Sequence, residues 1–300
     1  MVLVEGTPDR ETGAAVTAVG LGVKGSRGWA FRDVGLAADP GTLIAVEGPS
    51  GSGRTCLLLT LTGRMRPAAG QGSVGGFRVP QQMARIRRIS ALAQVPGVSE
   101  LDPVLTVAEH LRERALLQRR FGDAPRGLLR PRRERAAASR AAIDAAVRAA
   151  GLDLDTLPKG PRTAVRDLER LEALRLSIAL ALISRPRLLA VDDTDMKLSD
   201  AERAQAWALL REIAEDGITV LAVCSQAPED AVVVPTRPAE ASTSDSGSGT
   251  DTGTEQETGT AADSNTGTKN DDQAEDKADD EADDKNEEGA EDALAETGRA

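Results

Sequence analysis

Tyrosine is missing from this 300-residue chain, and three phenylalanines and two tryptophans supply all of its aromatic rings. Sequence-tolerant binding of single-stranded nucleic acid rests on stacked aromatic faces, so nucleic acid is disfavoured as a partner. Histidine occurs once, at His110, and is expected to be a surface or packing residue. Cysteine occurs twice, at Cys56 and Cys224, far apart and without metal-ligand spacing. That usage fits a reducing compartment and two buried, inert thiols. No run approaches the about 18 uninterrupted apolar residues of a membrane span. Met1-Val2-Leu3-Val4-Glu5 has neither the basic flank nor the long apolar core of a secretory signal. The chain is therefore expected to be cytoplasmic.

Acidic charge is concentrated at one end. Residues 236–300 carry 20 acidic and 5 basic side chains, no aromatic residue and the single leucine Leu294. Such a segment buries too little apolar surface to offset its ordering entropy, so it is expected to be a disordered acidic tail. Residues 1–235 keep 32 basic and 28 acidic side chains, so the folded part is mildly basic although the whole chain stands at −11. Between Arg112 and Arg140 ten arginines face three acids. One face of that segment is then strongly positive, suited to anionic lipid headgroups or to the chain's own tail.

What is present reads as alternating strands and helices. Val16 to Val23 and Trp29 to Leu36 alternate as short strands around the turn Gly25-Ser26-Arg27-Gly28, an antiparallel opening. The apolar run Leu43-Ile44-Ala45-Val46 leads into Gly48-Pro49-Ser50-Gly51-Ser52-Gly53-Arg54-Thr55 and then the apolar helix from Cys56 to Leu61. A strand, a G-x-x-x-x-G-basic-Thr loop and a helix in that order form a phosphate cradle, with backbone N–H groups turned inward and the positive helix end behind them. Thr55 is placed to ligate Mg²⁺ through its hydroxyl. Arg54 stands where lysine is usual and carries a larger, forked cation. Gly70 to Val79 reads as a strand pair, Ile89 to Ala93 as a short buried strand, and Thr106 to about Ala150 as helices broken near Gly122, Pro125 and Pro131. A helix through residues 175–182 stops before Pro186. Two further strands, 188–193 and 218–223, enclose a helix from about Asp200 to Glu215.

The strand ending in Asp192-Asp193 supplies what a phosphate loop needs, a buried strand delivering a carboxylate to Mg²⁺. Asp192 is the expected metal-side acid, and Asp193 a candidate base for an attacking water.

Taken in order, these segments resemble the ATPase domain of ABC transporters over about Val16 to Val234. The residues that carry the resemblance are GPSGSGRT at 48–55, Gln94 after a short strand, TVAEHL at 106–111, RLSIALAL at 175–182, Arg185-Pro186, LLAVDD at 188–193 and the strand at 218–223. The resemblance implies an α/β P-loop NTPase core, a parallel sheet wrapped by helices, with an N-terminal antiparallel β subdomain and a helical insertion over about 104–170. It implies ATP and Mg²⁺ as cofactors, held by residues 48–55, Thr55, Asp192 and Gln94, with Asp193 and Gln94 in the catalytic roles. Its partners would be an integral membrane permease subunit and a second ATP-binding domain, in a homodimer or heterodimer at the inner face of the membrane.

The departures matter equally. The segment that presents a serine and glycine amides to the γ-phosphate of the opposite subunit falls on Leu168-Glu169-Arg170-Leu171-Glu172, and a carboxylate facing phosphate repels it. Asp193 is one methylene shorter than the family's glutamate, Ser225 stands at the switch histidine, and Trp29, with Phe31 behind it, is the nearest substitute for the adenine-stacking aromatic. Slow intrinsic hydrolysis is expected, with a non-hydrolysing regulatory module of the same fold as the alternative. A small-molecule kinase using Arg130, Arg132, Arg133 and Arg135 as a lid fits less well, and no Asn-Lys-x-Asp guanine reader is present.

Overall fold

The computed structural model describes residues 13–26, 28–121, 131–194 and 197–236. The expected tail beyond 236, Arg130 and the helix breaks at Gly122 and Pro125 lie outside the described residues. Val16–Gly25 (β1) and Gly28–Ala38 (β2) pair antiparallel, with Val16 opposite Ala38 and Lys24 opposite Trp29. Leu43–Glu47 (β3) then enters a second sheet and runs through the glycine loop into Arg54–Leu61 (α1). Ala69–Val74 (β4) and Phe77–Val79 (β5) return to the first sheet, whose order is β2-β1-β4-β5. Met83–Ile89 (α2) precedes Ser90–Leu92 (β6), and Val107–Phe121 (α3) and Arg132–Ala149 (α4) form a helical layer. Arg170–Leu182 (α5), Leu188–Val191 (β7), Asp200–Glu215 (α6), Thr219–Cys224 (β8) and Val232–Pro235 (β9) complete the chain.

The second sheet, β6-β7-β8-β3-β9, is parallel throughout. Its central strands are covered on both faces, which is why they read as unbroken apolar runs rather than alternations. In β3, Leu43 and Ala45 face one core with α5 and α6, and Ile44 and Val46 face the other with α1 and the antiparallel sheet. Ile44 and Val46 are fully buried, each contributing about 1.5–3 kcal/mol of apolar transfer free energy.

Two elements lie outside the expectations. α2, an arginine-rich single stretch over residues 83–89, has too few apolar positions to show a helical period, with Ile86 alone buried. β9 is an edge strand whose valines pair with β3 on one side only. The first residue of the expected tail is part of the described structure. Thr236 is buried at 3% exposure and donates its N–H to the Glu47 carbonyl at 2.7 Å.

Candidate functional site at the carboxyl ends of the parallel strands

Four neighbouring strands end at one place. β3 ends in the glycine loop, β8 in Cys224, β7 in Asp192 and β6 in Ala93-Gln94. The crevice outside strand carboxyl ends is where open α/β sheets bind ligands.

The loop's glycines have separate reasons. A Cβ on Gly48 would stand 2.3 Å from Thr236 Oγ1 and 2.6 Å from Ser52 Oγ, and one on Gly53 would stand 2.3 Å from the Ala30 carbonyl of β2. Gly51 and Gly53 both hold φ of +81°, which glycine adopts without steric penalty. Pro49, Ser50 and Gly51 form an exposed crest, whereas Ser52 is fully buried and its hydroxyl shares a 2.6 Å hydrogen bond with Thr236. Thr236 is a structural member of the site that sequence reasoning missed, since it follows an edge strand and carries no motif. The only advance signal was the apolar Val232-Val233-Val234 run before it.

Behind the loop, the Thr55 hydroxyl donates to Asp192 Oδ2 at 2.6 Å, joining α1 to β7 across β8. Asp192 is 1% exposed. Burial pushes its carboxyl above the ordinary value; the Thr55 hydrogen bond opposes this, and Asp193 adds a smaller push in the same direction. A hydroxyl and a carboxylate oxygen are hard donors, and so small a set fits Mg²⁺, which is held through one or two protein ligands plus substrate phosphates and waters.

Arg54 reaches past the loop. Its Nη1 donates to the Cys224 carbonyl at 2.6 Å, a contact hidden from sequence because the acceptor is backbone. Asp193 holds φ of +50° and donates its N–H to Asp192 Oδ1 at 3.0 Å. Gln94 is brought alongside by its backbone, its carbonyl accepting from the Asp192 N–H at 2.9 Å. Trp29 lies on the hairpin next to Ala30, the residue against Gly53. Arg32 stands over its ring at 5.3 Å and Lys24 at 5.9 Å, and its edge meets the Gly22 position. Phe31 is fully buried in the core beneath.

The 168–172 segment opens α5. Glu169 is its N-cap and accepts from the N3 backbone, while the Glu172 carboxylate accepts from the Glu169 N–H at 2.9 Å. The orphan amides of this helix end are therefore partly satisfied from within the chain. Cys224 is buried as expected, whereas Cys56 is only half-buried, its thiol raised by partial burial and by nearby Asp192. His110 is buried, its Nε2 3.2 Å from the Asp102 carbonyl.

The family model for ABC transporters matches residues 31–195. A ribose import ATP-binding protein of Streptomyces avermitilis is 31% identical over 204 residues, covering 67% of this chain and 37% of that protein. A Nod factor export ATP-binding protein of Cupriavidus metallidurans is 31% identical over 186 residues, 62% of this chain and 54% of that protein. The chain thus spans from about a third to about half of the curated relatives it matches. Among solved structures, a dimeric ATP-binding cassette bound to ADP and phosphate superposes with a TM-score of 0.54 at 21% identity, covering 70% of this chain and 88% of that one. The CbiO1 component of a Clostridium perfringens ABC transporter complex gives 0.56 at 18%, covering 71% and 79%. The chain belongs to the ABC transporter family of ATP-binding proteins, with that family's P-loop NTPase fold.

Proposed function

We propose that this chain is the ATP-binding subunit of an ABC-type transport system, binding ATP with Mg²⁺ and driving a separate integral membrane permease subunit. The observation that carries the reading is the Thr55–Asp192 hydrogen bond, which sets a hydroxyl and a buried carboxylate side by side at the mouth of the glycine loop. The loop amides of residues 48–55 and the α1 N-terminus would hold the phosphates, with Thr55, Asp192 and Gln94 on the metal side. A bound Mg²⁺ would neutralise phosphate charge. Asp193 would accept a proton from water, and Trp29 would be the ring that stacks on adenine. The relatives named for import and for export support a nucleotide-binding role common to both directions. Among the described residues no helix is long and apolar enough to cross a membrane; the proposed location is the cytoplasmic face of the membrane, beside the permease and a second ATP-binding domain.

Glu169 favours a second reading. With its own carboxylate at the α5 N-terminus, this copy is poorly suited to receive a partner's γ-phosphate, which points to slow turnover, or to a switch that binds ATP without cleaving it. Calorimetry with Mg²⁺ and ATP tests the binding claim, and absence of heat and of thermal shift rejects it. Asp193→Asn separates the readings: loss of transport with binding retained identifies the enzyme, and unchanged transport identifies the switch.

A further inference from the structure

From Gly48 through Ser99 the chain contains no acidic residue and seven arginines. The fold gathers most of these charges at one place, the far end of α1 together with α2 and β5. A Cβ on Gly63, just past α1, would meet the Met83 carbonyl at 2.5 Å and Ile86 Cβ at 3.1 Å, so α2 lies directly against that end. Ile86 is buried, and Arg85, Arg87 and Arg88 fan over the outward sides of the same short helix.

Two of the guanidiniums are anchored. Arg87 donates to the Gly63 carbonyl at 2.7 Å, and Arg64 to the Thr62 carbonyl at 2.8 Å and Ser90 Oγ at 3.0 Å. Arg64 is pushed down to about 10 by burial first and then by the neighbouring cations Arg87 and Arg114. Arg85 lies 5.8 Å from the Phe77 ring centre, and Arg78 is exposed beside them on β5. The ion pairs formed among the described residues use other cations, Lys159, Arg166, Arg203 and Arg211. On its Arg114 side the field ends at a cavity of about 330 Å³ whose lining includes Glu100, Asp102 and Glu113.

We propose that the arginine field formed by Arg64, Arg78, Arg85, Arg87 and Arg88 is a contact surface for anionic lipid headgroups. Arg78, Arg85 and Arg88 are exposed on a strand and a helix, with Arg64 and Arg87 tied to backbone carbonyls beside them, and this spread of charge suits a plane of phosphates better than one small anion. Phe77, the one aromatic ring in residues 48–99, has a guanidinium over it, so stacked bases find no platform. A membrane surface carrying anionic lipid attracts such a patch by an amount equivalent to about fivefold in partitioning for each arginine.

The test is flotation of the full chain with phosphatidylcholine vesicles, with and without an equal share of phosphatidylglycerol, at low salt. Binding to the anionic vesicles is expected, lost at high salt. Arg85→Ala/Arg88→Ala should lower partitioning on the order of 25-fold, and Arg85→Lys/Arg88→Lys should retain it. Thermal unfolding and ATP titration of the same variants, expected unchanged at these exposed positions, exclude misfolding and keep this test separate from that of the nucleotide site. No partitioning, equal partitioning to neutral vesicles, loss through Arg133→Ala/Arg140→Ala on α4 instead, or capture of RNA in preference to vesicles would overturn the proposal.

Discussion

The Arg54 guanidinium and the Cys224 carbonyl are joined at 2.6 Å, so the cation at the head of α1 is tied to the end of the neighbouring strand β8. A compact ammonium in this position acts as a point charge, whereas the planar fork has donors to spare for a second acceptor. Arg54 can therefore hold the strand end and still offer charge toward the loop.

Arg54→Ala is expected to weaken ATP binding about 10- to 100-fold, the effect of losing a charge-assisted hydrogen bond of about 1.5–3 kcal/mol. The side chain is part-exposed, so the melting temperature should move by only a few degrees. Calorimetry and thermal unfolding on one preparation separate the two effects; unaltered affinity would remove Arg54 from the site.

Asp192 sets a pH dependence whose sign follows from its raised pKa. Burial penalises the ionised form, so the folded protein carries this cost at neutral pH and sheds it as pH falls from the raised folded value toward the ordinary 3.8. Asp192→Asn is thus expected to raise the melting temperature of the nucleotide-free protein at pH 7, by about 2–4 °C for each kcal/mol relieved. The gain should shrink in acid. The same variant should lose the added thermal shift that Mg²⁺ confers on ATP binding. A variant less stable than the parent at pH 7 contradicts the burial argument.

Glu169 caps α5 and is in turn bracketed by Glu172. Glu172→Ala removes one half of this exchange and should cost about 0.5–1 kcal/mol, seen as a lower melting temperature. Glu169→Ser keeps a cap but withdraws the negative charge, so it should favour ATP-dependent pairing with a second nucleotide-loaded copy. Light scattering with a slowly hydrolysed ATP analogue measures this. No increase in dimer would mean that the carboxylate is not the obstacle.

Ser52 and Thr236 share a buried hydrogen bond that steadies the underside of the loop. Thr236→Val leaves the Ser52 hydroxyl without that partner and should destabilise by about 1–3 kcal/mol. Gly48→Ala should be worse, because the new methyl meets both Thr236 and Ser52 inside 2.7 Å. Denaturant unfolding ranks the two, and a neutral Gly48→Ala would refute the packing.

Asp193 at φ +50° is in the left-handed region, where asparagine and aspartate are tolerated better than most side chains. Asp193→Asn should therefore leave the melting temperature within a degree or two of the parent, so that any change in ATP turnover reports chemistry alone.

The chain's order of residues determined by itself whatever depends on neighbours in sequence. The loop at 48–55 is legible because its glycines, its cation and its threonine are contiguous, and the doubly covered strands because their apolar runs have no polar interruption. Asp192 was legible as the polar end of such a run. Tertiary structure alone decided which atoms meet. Thr55 and Asp192 are 137 residues apart, Arg54 and Cys224 170, and Ser52 and Thr236 184. Contacts at these separations arise from strand order and from backbone acceptors that no residue type announces. The arginine field shows the same division: the acid-free stretch is visible in the sequence, but only the packing of α2 on the end of α1 turns it into a surface.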